Sequence, residues 1–367
     1  MARTAQGTPG PNAVGAPRLS VEAVEDLDTL REEWSVLGER GGNLFGTWEW
    51  NSLWWEHFGR DRPLVTAACR DETGALAGLV PMYVAREVGH LRFIRMLGHG
   101  HADRLGPVCA PADRPRVAQA LRLALRSKPW RHALVLAEQI PAEEHWAELL
   151  GARTLRHESS PVLEFATSDW EEFLATRSSN FRQNLRRKER RLTREKTIRY
   201  RLIEDAETLP WALDVLFSLH RMRWRNGPNS EFAGSEAFHR AFAARALERG
   251  WLRLWLMEAD ELPVAAWYGF RFGGADWLYQ TGRDPAWERY SVGSVLLGHT
   301  IRSCVEAGLG RYHFLRGDEA YKARFANGDP GLDTAAIPTG PVSGTAVRTA
   351  DTLPRFARRR AARIAGL

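Results

Sequence analysis

Apolar runs separated by short polar turns predict sheet in two parts of the chain. Residues 63–87 hold two apolar runs on either side of an Asp/Gly turn, which is the pattern of a β-hairpin. Residues 251–280 hold three such runs and predict a three-stranded meander. An amphipathic helical pattern precedes each part, at residues 48–58 and 235–249. One helix-then-sheet arrangement therefore occurs twice.

The remainder of the second half alternates between helix and strand. Apolar residues at helical spacing predict a helix that ends at Gly308, and a strand follows over residues 311–315. Another helix precedes the meander. Its apolar stripe consists of Leu213, Leu216, Phe217, His220 and Trp224.

Polar and biased segments lie around and between these elements. Residues 178–196 are rich in Arg and Lys with a thin apolar stripe, and they predict a basic helix between the two halves. Residues 329–350 are rich in Gly, Pro, Thr and Ala and are predicted to be irregular. The last 15 residues predict a short basic helix, and residues 1–19 predict a disordered end.

The net charge of +6 is unevenly distributed over the 367 residues. Residues 177–201 contain eleven Lys or Arg and two Asp or Glu, a local charge of +9, and residues 345–367 contribute +5. The rest of the chain carries −8. The basic character therefore belongs to two segments and does not indicate a general nucleic-acid-binding protein.

Several classes of protein are disfavoured by composition. Cys69, Cys109 and Cys304 are scattered, so neither a disulfide framework nor a zinc site is expected, and a reducing cytosol fits. His99 and His101 lie close in sequence but lack a partner cluster, so no metal is expected. No run approaches the ~18 apolar residues of a membrane span.

Residues 277–304 predict a strand, a Gly-containing loop and a helix. Free N–H groups and the positive dipole at the start of such a helix suit a pyrophosphate or another anion. An ordinary strand-to-helix connection with a serine cap fits the same spacing. Both interpretations stay open on spacing alone.

The second half resembles the GNAT acyltransferase superfamily, and within it the branch of cellulose-biosynthesis (CelD-like) acetyltransferases. The resemblance is carried by LHRMRW (219–224), LPVAAWYGFRFG (262–273), TGRDPAWERYSVGSVLL (281–297) and FLRGDEAYKARF (314–325). The first half resembles a degenerate GNAT domain through FGTWEWNSLWWEHFG (45–59), GLVPMYVAR (78–86) and LGHGHADRLGPV (97–108). Twin domains of this kind also occur in FemAB-like aminoacyl transferases, which use aminoacyl-tRNA.

The resemblance implies an α/β (α+β) fold of two tandem GNAT-like domains. Each would be a mixed, mostly antiparallel sheet flanked by helices. We expect a disordered N-terminus (1–19), a degenerate GNAT-like domain (20–168), a GNAT acyltransferase domain (169–335) and an irregular, basic tail (336–367).

The resemblance also implies that the loop before the 292–306 region binds the acyl donor, most simply acetyl-CoA. The residues implied are Arg289, Ser291, Val292, Gly293 and Ser294. The general GNAT loop is Gln/Arg-x-x-Gly-x-Gly/Ala, and here Glu288 and Ser291 replace its first and fourth residues. The same departure would suit another activated acyl donor.

Catalysis is assigned by the resemblance to the segment after the 311–315 strand. Asp318 or Glu319 would act as general base toward an amine or hydroxyl. Tyr321 would donate a proton to the departing thiolate, and Lys322 would contact the donor or the substrate. The alternative is a solvated turn followed by a surface helix.

The residues expected to contact the acceptor are His220, Arg223, Trp224, Tyr279 and Asp103. The apolar stripe favours a packed, structural His220, whereas the family pattern H-x-x-R-W favours a role in the site. Asp103 resembles an Asp that faces the interdomain cleft of twin-GNAT enzymes, and a turn-capping role fits equally well. Backbone N–H groups near residues 277–280 would stabilise the oxyanion.

Taken together, the sequence predicts a cytoplasmic acyltransferase that needs no metal. It would move an acyl group, from acetyl-CoA or another acyl-CoA, to an amine or hydroxyl of a sugar, exopolysaccharide or envelope precursor. One alternative is a tRNA-dependent FemAB-like aminoacyl transferase, which the altered loop and the basic helix favour. Another is a non-catalytic GNAT-fold scaffold in polysaccharide synthesis. The basic tail adds peripheral association with the inner face of the membrane.

Overall fold

The computed structural model describes residues 19–131, 133–223 and 231–352. The strands of the first half are β1 (Ser20–Val24), β2 (Thr66–Arg70), β3 (Leu76–Val80), β4 (Met82–Val88), β5 (Leu91–Met96), β6 (Val108–Cys109), β7 (Ala133–Pro141), β8 (Arg153–Glu158) and β9 (Val162–Glu164). Its helices are α1 (Arg31–Gly41), α2 (Trp48–Phe58), α3 (Arg114–Ala124) and α4 (Trp146–Leu149).

The second half continues the same mixture. Its strands are β10 (Ile198–Leu202), β11 (Leu252–Ala259), β12 (Leu262–Phe272), β13 (Ala275–Arg283), β14 (Arg311–His313) and β15 (Leu332–Pro338). Its helices are α5 (Trp170–Ala175), α6 (Ser179–Glu195), α7 (Leu209–Arg223), α8 (Glu236–Glu248), α9 (Val292–Glu306), α10 (Ala320–Phe325) and α11 (Pro341–Thr352).

Three mixed or antiparallel sheets form the framework. The first half holds a four-stranded sheet (β1-β2-β3-β6) beside a five-stranded sheet (β4-β5-β7-β15-β8), and the second half is built on a six-stranded sheet (β10-β11-β12-β13-β14-β9). Among the described strands, parallel pairing is confined to β5–β7 and β13–β14. The predicted architecture of mostly antiparallel sheets with flanking helices is confirmed.

The meander and the helices near it are also confirmed. β11, β12 and β13 pair in antiparallel order, and α8 precedes them. The helix and strand predicted before and after Gly308 are α9 and β14. The predicted basic helix is α6, whose start is capped by the Ser178 hydroxyl accepting from the Phe181 N–H (3.2 Å).

The predicted hairpin at residues 63–87 contains three strands instead of two. β2 and β3 pair as expected, but the second apolar run divides at Pro81. β4 then leaves β3 and pairs with β5 in the neighbouring sheet. A proline has no N–H to donate to a ladder, which accounts for the break at this position.

The prediction of irregular structure over residues 329–350 is wrong. This segment forms β15, which lies between β7 and β8, and then α11. The small side chains Ala335 and Ala336 are buried in the strand, and such residues give little hydrophobic contrast in the sequence. The predicted helix of the last 15 residues lies outside the described residues, as do residues 1–18 of the predicted disordered end.

Two strands lie in the sheet of the opposite half. β9 comes from the first half of the chain and pairs with β14, whereas β15 comes from the second half and completes the five-stranded sheet. The domain boundaries at residues 168 and 335 stay a prediction. The exchange means that neither half completes its sheet from its own residues alone.

Aromatic packing joins the two halves along α2 and α8. The buried Trp50 ring of α2 packs edge-on against Phe238 (5.0 Å) and Phe242 (4.6 Å) of α8. It also meets Phe45 (4.8 Å), which in turn contacts Trp277 of β13 (5.9 Å). Because one continuous core crosses the seam, the seam can hold a site with fixed geometry.

Candidate active site

The six-stranded sheet opens where β13 and β14 separate. The two strands pair in parallel over residues 275–277 and Arg311–His313. β14 then ends, whereas β13 continues to Arg283. The register between β12 and β13 shifts here and leaves Tyr279 as a bulge. Beyond Trp277, the edge of β13 therefore faces an opening instead of a neighbouring strand.

A cavity of about 250 Å³ lies in this opening, between loops of both halves. We call it the polar cavity. It brings together six of the predicted site residues, which are Asp103, Arg223, Tyr279, Glu319, Tyr321 and Lys322. A lining of charged and hydroxyl groups suits a polar substrate.

A second cavity of about 220 Å³ lies on the other side of β13, at the start of α9. We call it the apolar cavity, because its floor consists of Ala266, Trp267, Leu278, Leu296 and Leu297. Ser291, Gly293 and Ser294 of the predicted donor loop lie at its rim. The cavity thus offers apolar walls together with the start of a 15-residue helix.

The two cavities share one boundary. Arg223, Leu278, Thr281 and Tyr321 line both of them. Arg223 reaches this boundary because α7 lies very close to β13: a Cβ at Gly282 would come within 2.7 Å of the His220 backbone nitrogen. Its guanidinium donates to the Thr281 hydroxyl and carbonyl.

Thr281 also shows where a backbone donor is available. Its N–H donates to the side-chain oxygen of its own neighbour Gln280 (2.9 Å). The acceptor of this N–H is thus a side-chain oxygen, whose place a substrate oxygen could take. It is a candidate oxyanion donor one residue beyond the predicted 277–280 stretch.

Tyr321 and Glu319 face the polar cavity from α10 and the turn before it. Burial, together with the nearby Glu319 carboxylate, raises the pKa of Tyr321 to about 12. The phenol therefore keeps its proton at neutral pH and can act as a donor. Asp318 and Glu319 are both exposed, but only Glu319 lines the polar cavity, so Glu319 is better placed as the base.

Lys322 points away from solvent and is only 4% exposed. Its ammonium donates to the carbonyl oxygens of Leu315 (3.4 Å) and Arg316, and it lies 2.9 Å from the Glu319 carboxylate. Leu315 adopts a left-handed φ of 58°, which is strained for a side-chain-bearing residue. Lys322 therefore holds the turn after β14 in a conformation that it would not adopt alone.

Residues of the first half hold the same turn from the other side. The Asp103 carboxylate accepts from the Arg316 N–H (3.0 Å). The side-chain amide of Gln139, in β7, is oriented so that its nitrogen and its oxygen both have partners. The nitrogen donates to the Ala102 carbonyl (2.5 Å), and the oxygen accepts from the Arg316 guanidinium. Gln139 has a left-handed φ of 55°. The two halves therefore position one turn jointly.

His220 lies outside the two cavities. It is 1% exposed and packs against Phe232, with the ring centroids 4.8 Å apart. Burial, aided by Arg223 and Arg221, lowers the pKa of His220 to about 4. These contacts favour the structural interpretation of its apolar stripe. Trp224, the last residue of that stripe, lies outside the described residues.

The residues of the predicted donor loop do not all face the cavities. The side chains of Arg289 and Val292 do not line the cavities: Arg289 donates to the Tyr290 hydroxyl (2.7 Å), and Val292 is buried. Tyr290 in turn donates to Glu195 of α6 (2.7 Å). Glu288, by contrast, lines the apolar cavity and pairs with Arg283 (3.3 Å).

Several lining residues were missed by sequence reasoning. His101, Gln280, Thr281 and Arg316 line the polar cavity, and the Tyr279 hydroxyl donates to the His101 carbonyl (2.7 Å). His101 stands two residues from Asp103, a proximity that could have identified it. Gln139 carried no such signal, because its backbone conformation is invisible in the sequence.

Within the described ranges, no three His, Cys, Asp or Glu side chains are grouped so as to hold a metal ion. Cys69, Cys109 and Cys304 are buried, and burial raises the pKa of each thiol. Of the helices that the structure describes, none has the length and apolar character needed to cross a membrane.

The comparison with protein families gives one match. Residues 179–323 match the profile of the acetyltransferase (GNAT) domain. This range includes α6 to α9, the meander and the Tyr321–Lys322 pair. No curated protein matches the chain.

The similar solved structures match most of the chain, not just one of its two halves. FemX is 9% identical, with a TM-score of 0.60 and coverage of 88% of this chain and 99% of FemX. L-PGS from Bacillus licheniformis is 15% identical, with a TM-score of 0.56 and coverage of 86% and 93%. At these identities the likeness concerns the fold alone, and it agrees with a twin GNAT-like architecture. The CelD-like branch stays a prediction.

Proposed function

We propose that the chain is a GNAT-type acyltransferase that moves an acyl group from acyl-CoA to a polar acceptor. The match of residues 179–323 to a GNAT acetyltransferase domain supports this proposal. The observation that carries this proposal is the shared boundary of the two cavities at Thr281 and Tyr321. A thioester in the apolar cavity and a nucleophile in the polar cavity would meet there. The match to an acetyltransferase domain supports an enzyme, so the scaffold hypothesis is set aside.

The mechanism is a direct attack of the acceptor on the thioester carbonyl. Glu319 takes the proton from the attacking amine or hydroxyl, directly or through water. The backbone N–H of Thr281 stabilises the oxyanion once the Gln280 side chain moves aside. The C–S bond then breaks, and Tyr321 gives its proton to the departing thiolate. Glu319 releases the proton it took to solvent, and Tyr321 regains one from solvent.

The acceptor is proposed to be a saccharide of exopolysaccharide or envelope synthesis. The family resemblance suggests this class, and the polar lining of the polar cavity is compatible with a ligand rich in hydroxyl groups. The reaction uses only protein groups in the role of acid and base.

The test is acceptor-dependent release of CoA thiol. Purified protein is incubated with acetyl-CoA and a panel of amino sugars, nucleotide sugars and oligosaccharides. Saturable thiol release with one acceptor class is the expected result. If calorimetry detects no binding of acetyl-CoA or of longer acyl-CoA, the proposal fails.

A second candidate is a tRNA-dependent aminoacyl transferase. Two observations favour it: the acidic Glu288 at the apolar cavity, and the exposed Arg side chains of α6, which are Arg186, Arg187, Arg190, Arg191 and Arg194. Salt-dependent binding of aminoacyl-tRNA would support it, since phosphate contacts release counterions. Absence of such binding at low salt would exclude it in favour of the thioester donor.

A further inference from the structure

A groove of about 480 Å³ continues from the apolar cavity along the basic helix α6. Ser294 and Tyr321 line both the groove and the apolar cavity, so the two spaces are continuous. α6 contributes one wall, and Arg324 of α10 contributes the other. Tyr321 therefore stands where the groove, the apolar cavity and the polar cavity meet.

The wall formed by α6 is a polar stripe. Asn180, Asn184 and Lys188 recur every four residues, which places them on one face of the helix, and all three line the groove. Two amides followed by an ammonium form a row of hydrogen-bond donors that ends in a positive charge.

The width of the groove is set by close packing on its floor. Leu185 of α6 packs onto Gly298 of α9, where a Cβ would come within 2.8 Å of the leucine methyl carbon. Phe181 meets Phe325 of α10 edge-on, with the centroids 5.2 Å apart. α6 is therefore anchored at two points, and its polar stripe is held facing Arg324.

The charges in the groove are of one sign. Lys188 has Arg324 and Arg187 as its charged neighbours, and burial together with these two guanidinium groups lowers the pKa of Lys188. In the part of the chain that the structure describes, no carboxylate pairs with Lys188 or Arg324. Uncompensated like charges held together disfavour each other, and an anion between them would relieve that repulsion.

The side of the apolar cavity away from the groove carries a carboxylate. There Glu288 pairs with Arg283, and Arg289 is turned toward Tyr290. An anionic donor would meet a carboxylate at that end. The first turn of α9, which includes Ser294, adds its positive dipole end to the groove side.

We propose that the groove between α6 and α10 binds the phosphate groups of the acyl donor's nucleotide. Lys188 and Arg324 pair with phosphate oxygens, and Asn180 and Asn184 donate further hydrogen bonds. The thioester end then extends through the apolar cavity to Tyr321. This inference rests on the proposed use of acyl-CoA, and it places the phosphates on α6 instead of on the loop at residues 288–293.

The experiment compares donors with and without phosphates. Acetyl-CoA, 3′-dephospho acetyl-CoA and phosphate-free acetyl-pantetheine are tested with wild type, Lys188→Met and Arg324→Gln. The matched control is Arg190→Gln, which removes a charge from α6 outside the groove. Each groove variant should raise the KM for acetyl-CoA 10- to 100-fold and leave the KM for acetyl-pantetheine unchanged. Neither variant should unfold at a lower temperature than wild type, because each substitution removes one of two like charges.

Equal weakening by Lys188→Met and Arg190→Gln would overturn the inference, because it would indicate the general charge of α6. Unchanged binding of acetyl-CoA in both groove variants would also overturn it.

A separate calorimetric titration with adenosine 3′,5′-bisphosphate distinguishes failure of the groove from failure of the proposed function. Binding that Lys188→Met abolishes, in a protein that turns over no thioester, would support the phosphate site and refute the acyl-CoA donor. No binding of the bisphosphate, with Lys188-dependent binding of aminoacyl-tRNA, would overturn the inference in favour of an RNA donor.

Discussion

Tyr321 and its neighbour Lys322 lie in the same turn of α10 but face in different directions. Tyr321 faces the junction of the cavities, whereas Lys322 points into the protein and binds the Leu315 and Arg316 carbonyls. A buried ammonium is stabilised where carbonyls and a carboxylate surround it. Lys322 is therefore a positioning residue for the turn, and Tyr321 is the group that can touch the reacting atoms.

Tyr321→Phe is expected to lower kcat about 100-fold, within the usual range for loss of a general acid. KM should change little, because the ring and its packing remain. Steady-state kinetics with the acceptor identified by thiol release would measure both constants.

The matched control is Tyr290→Phe, which removes another partly buried hydroxyl, one bonded to Glu195 and outside the cavities. It should leave kcat within about twofold of wild type. An equal fall in both variants would contradict the role of Tyr321 as the acid.

At the scale of elements, the turn after β14 depends on a loop of the other half. Asp103 accepts from the Arg316 N–H, and the Arg316 carbonyl accepts from Lys322. This chain of contacts connects the first half to the residues of α10 that line the polar cavity. Asp103 therefore positions the turn, although its carboxylate also lines the polar cavity.

Two substitutions separate positioning by Asp103 from proton transfer. Asp103→Ala removes the acceptor of the Arg316 N–H and should lower kcat/KM roughly 10-fold, which corresponds to about 1.4 kcal/mol. Asp103→Asn keeps an acceptor oxygen and should restore most of the activity. If Asp103→Asn were as inactive as Asp103→Ala in the same assay, the carboxylate charge itself would be required.

Elements with strong local patterns were predictable, and those that depend on distant partners were not. The meander, α6 and α9 follow from apolar spacing that acts within a few residues. β15 was missed because its burial comes from β7 and β8, more than 170 residues earlier in the chain.

The same distinction between local patterns and distant partners applies to the residues of the candidate site. The motif predicted a catalytic role for residues 318–322, which stays a prediction. The structure places Glu319, Tyr321 and Lys322 at the polar cavity and Asp318 outside it. The contribution of Gln139 depends on a strained backbone and on Arg316, which no local pattern reports.

For the whole molecule, buried histidines should make stability depend on pH. Burial lowers the pKa of His220 and His299 to about 4 and that of His239 and His313 well below the ordinary value. In the unfolded chain these groups titrate near pH 6.5. Between pH 6.5 and 4 the unfolded state therefore binds more protons, and stability falls as the pH falls.

The free energy of unfolding, measured by urea titration, should accordingly decrease between pH 7 and pH 4.5. His299 stacks on Tyr200 (3.8 Å) outside the cavities, so His299→Gln is the suitable variant. It should lessen the decrease by up to about 2–3 kcal/mol, since each pKa unit corresponds to 1.36 kcal/mol. A free energy that is flat over this range in wild type would refute the role of the histidines.

The exchanged strand β15 has a consequence for biosynthesis. The ribosome makes a chain from its N-terminus, and domains ordinarily fold in that order. Here the five-stranded sheet of the first half lacks its member between β7 and β8 until residues 332–338 have been made. The half that is synthesised first is thus completed last, and the nascent chain must carry an open sheet edge while the 173 residues between β8 and β15 are made.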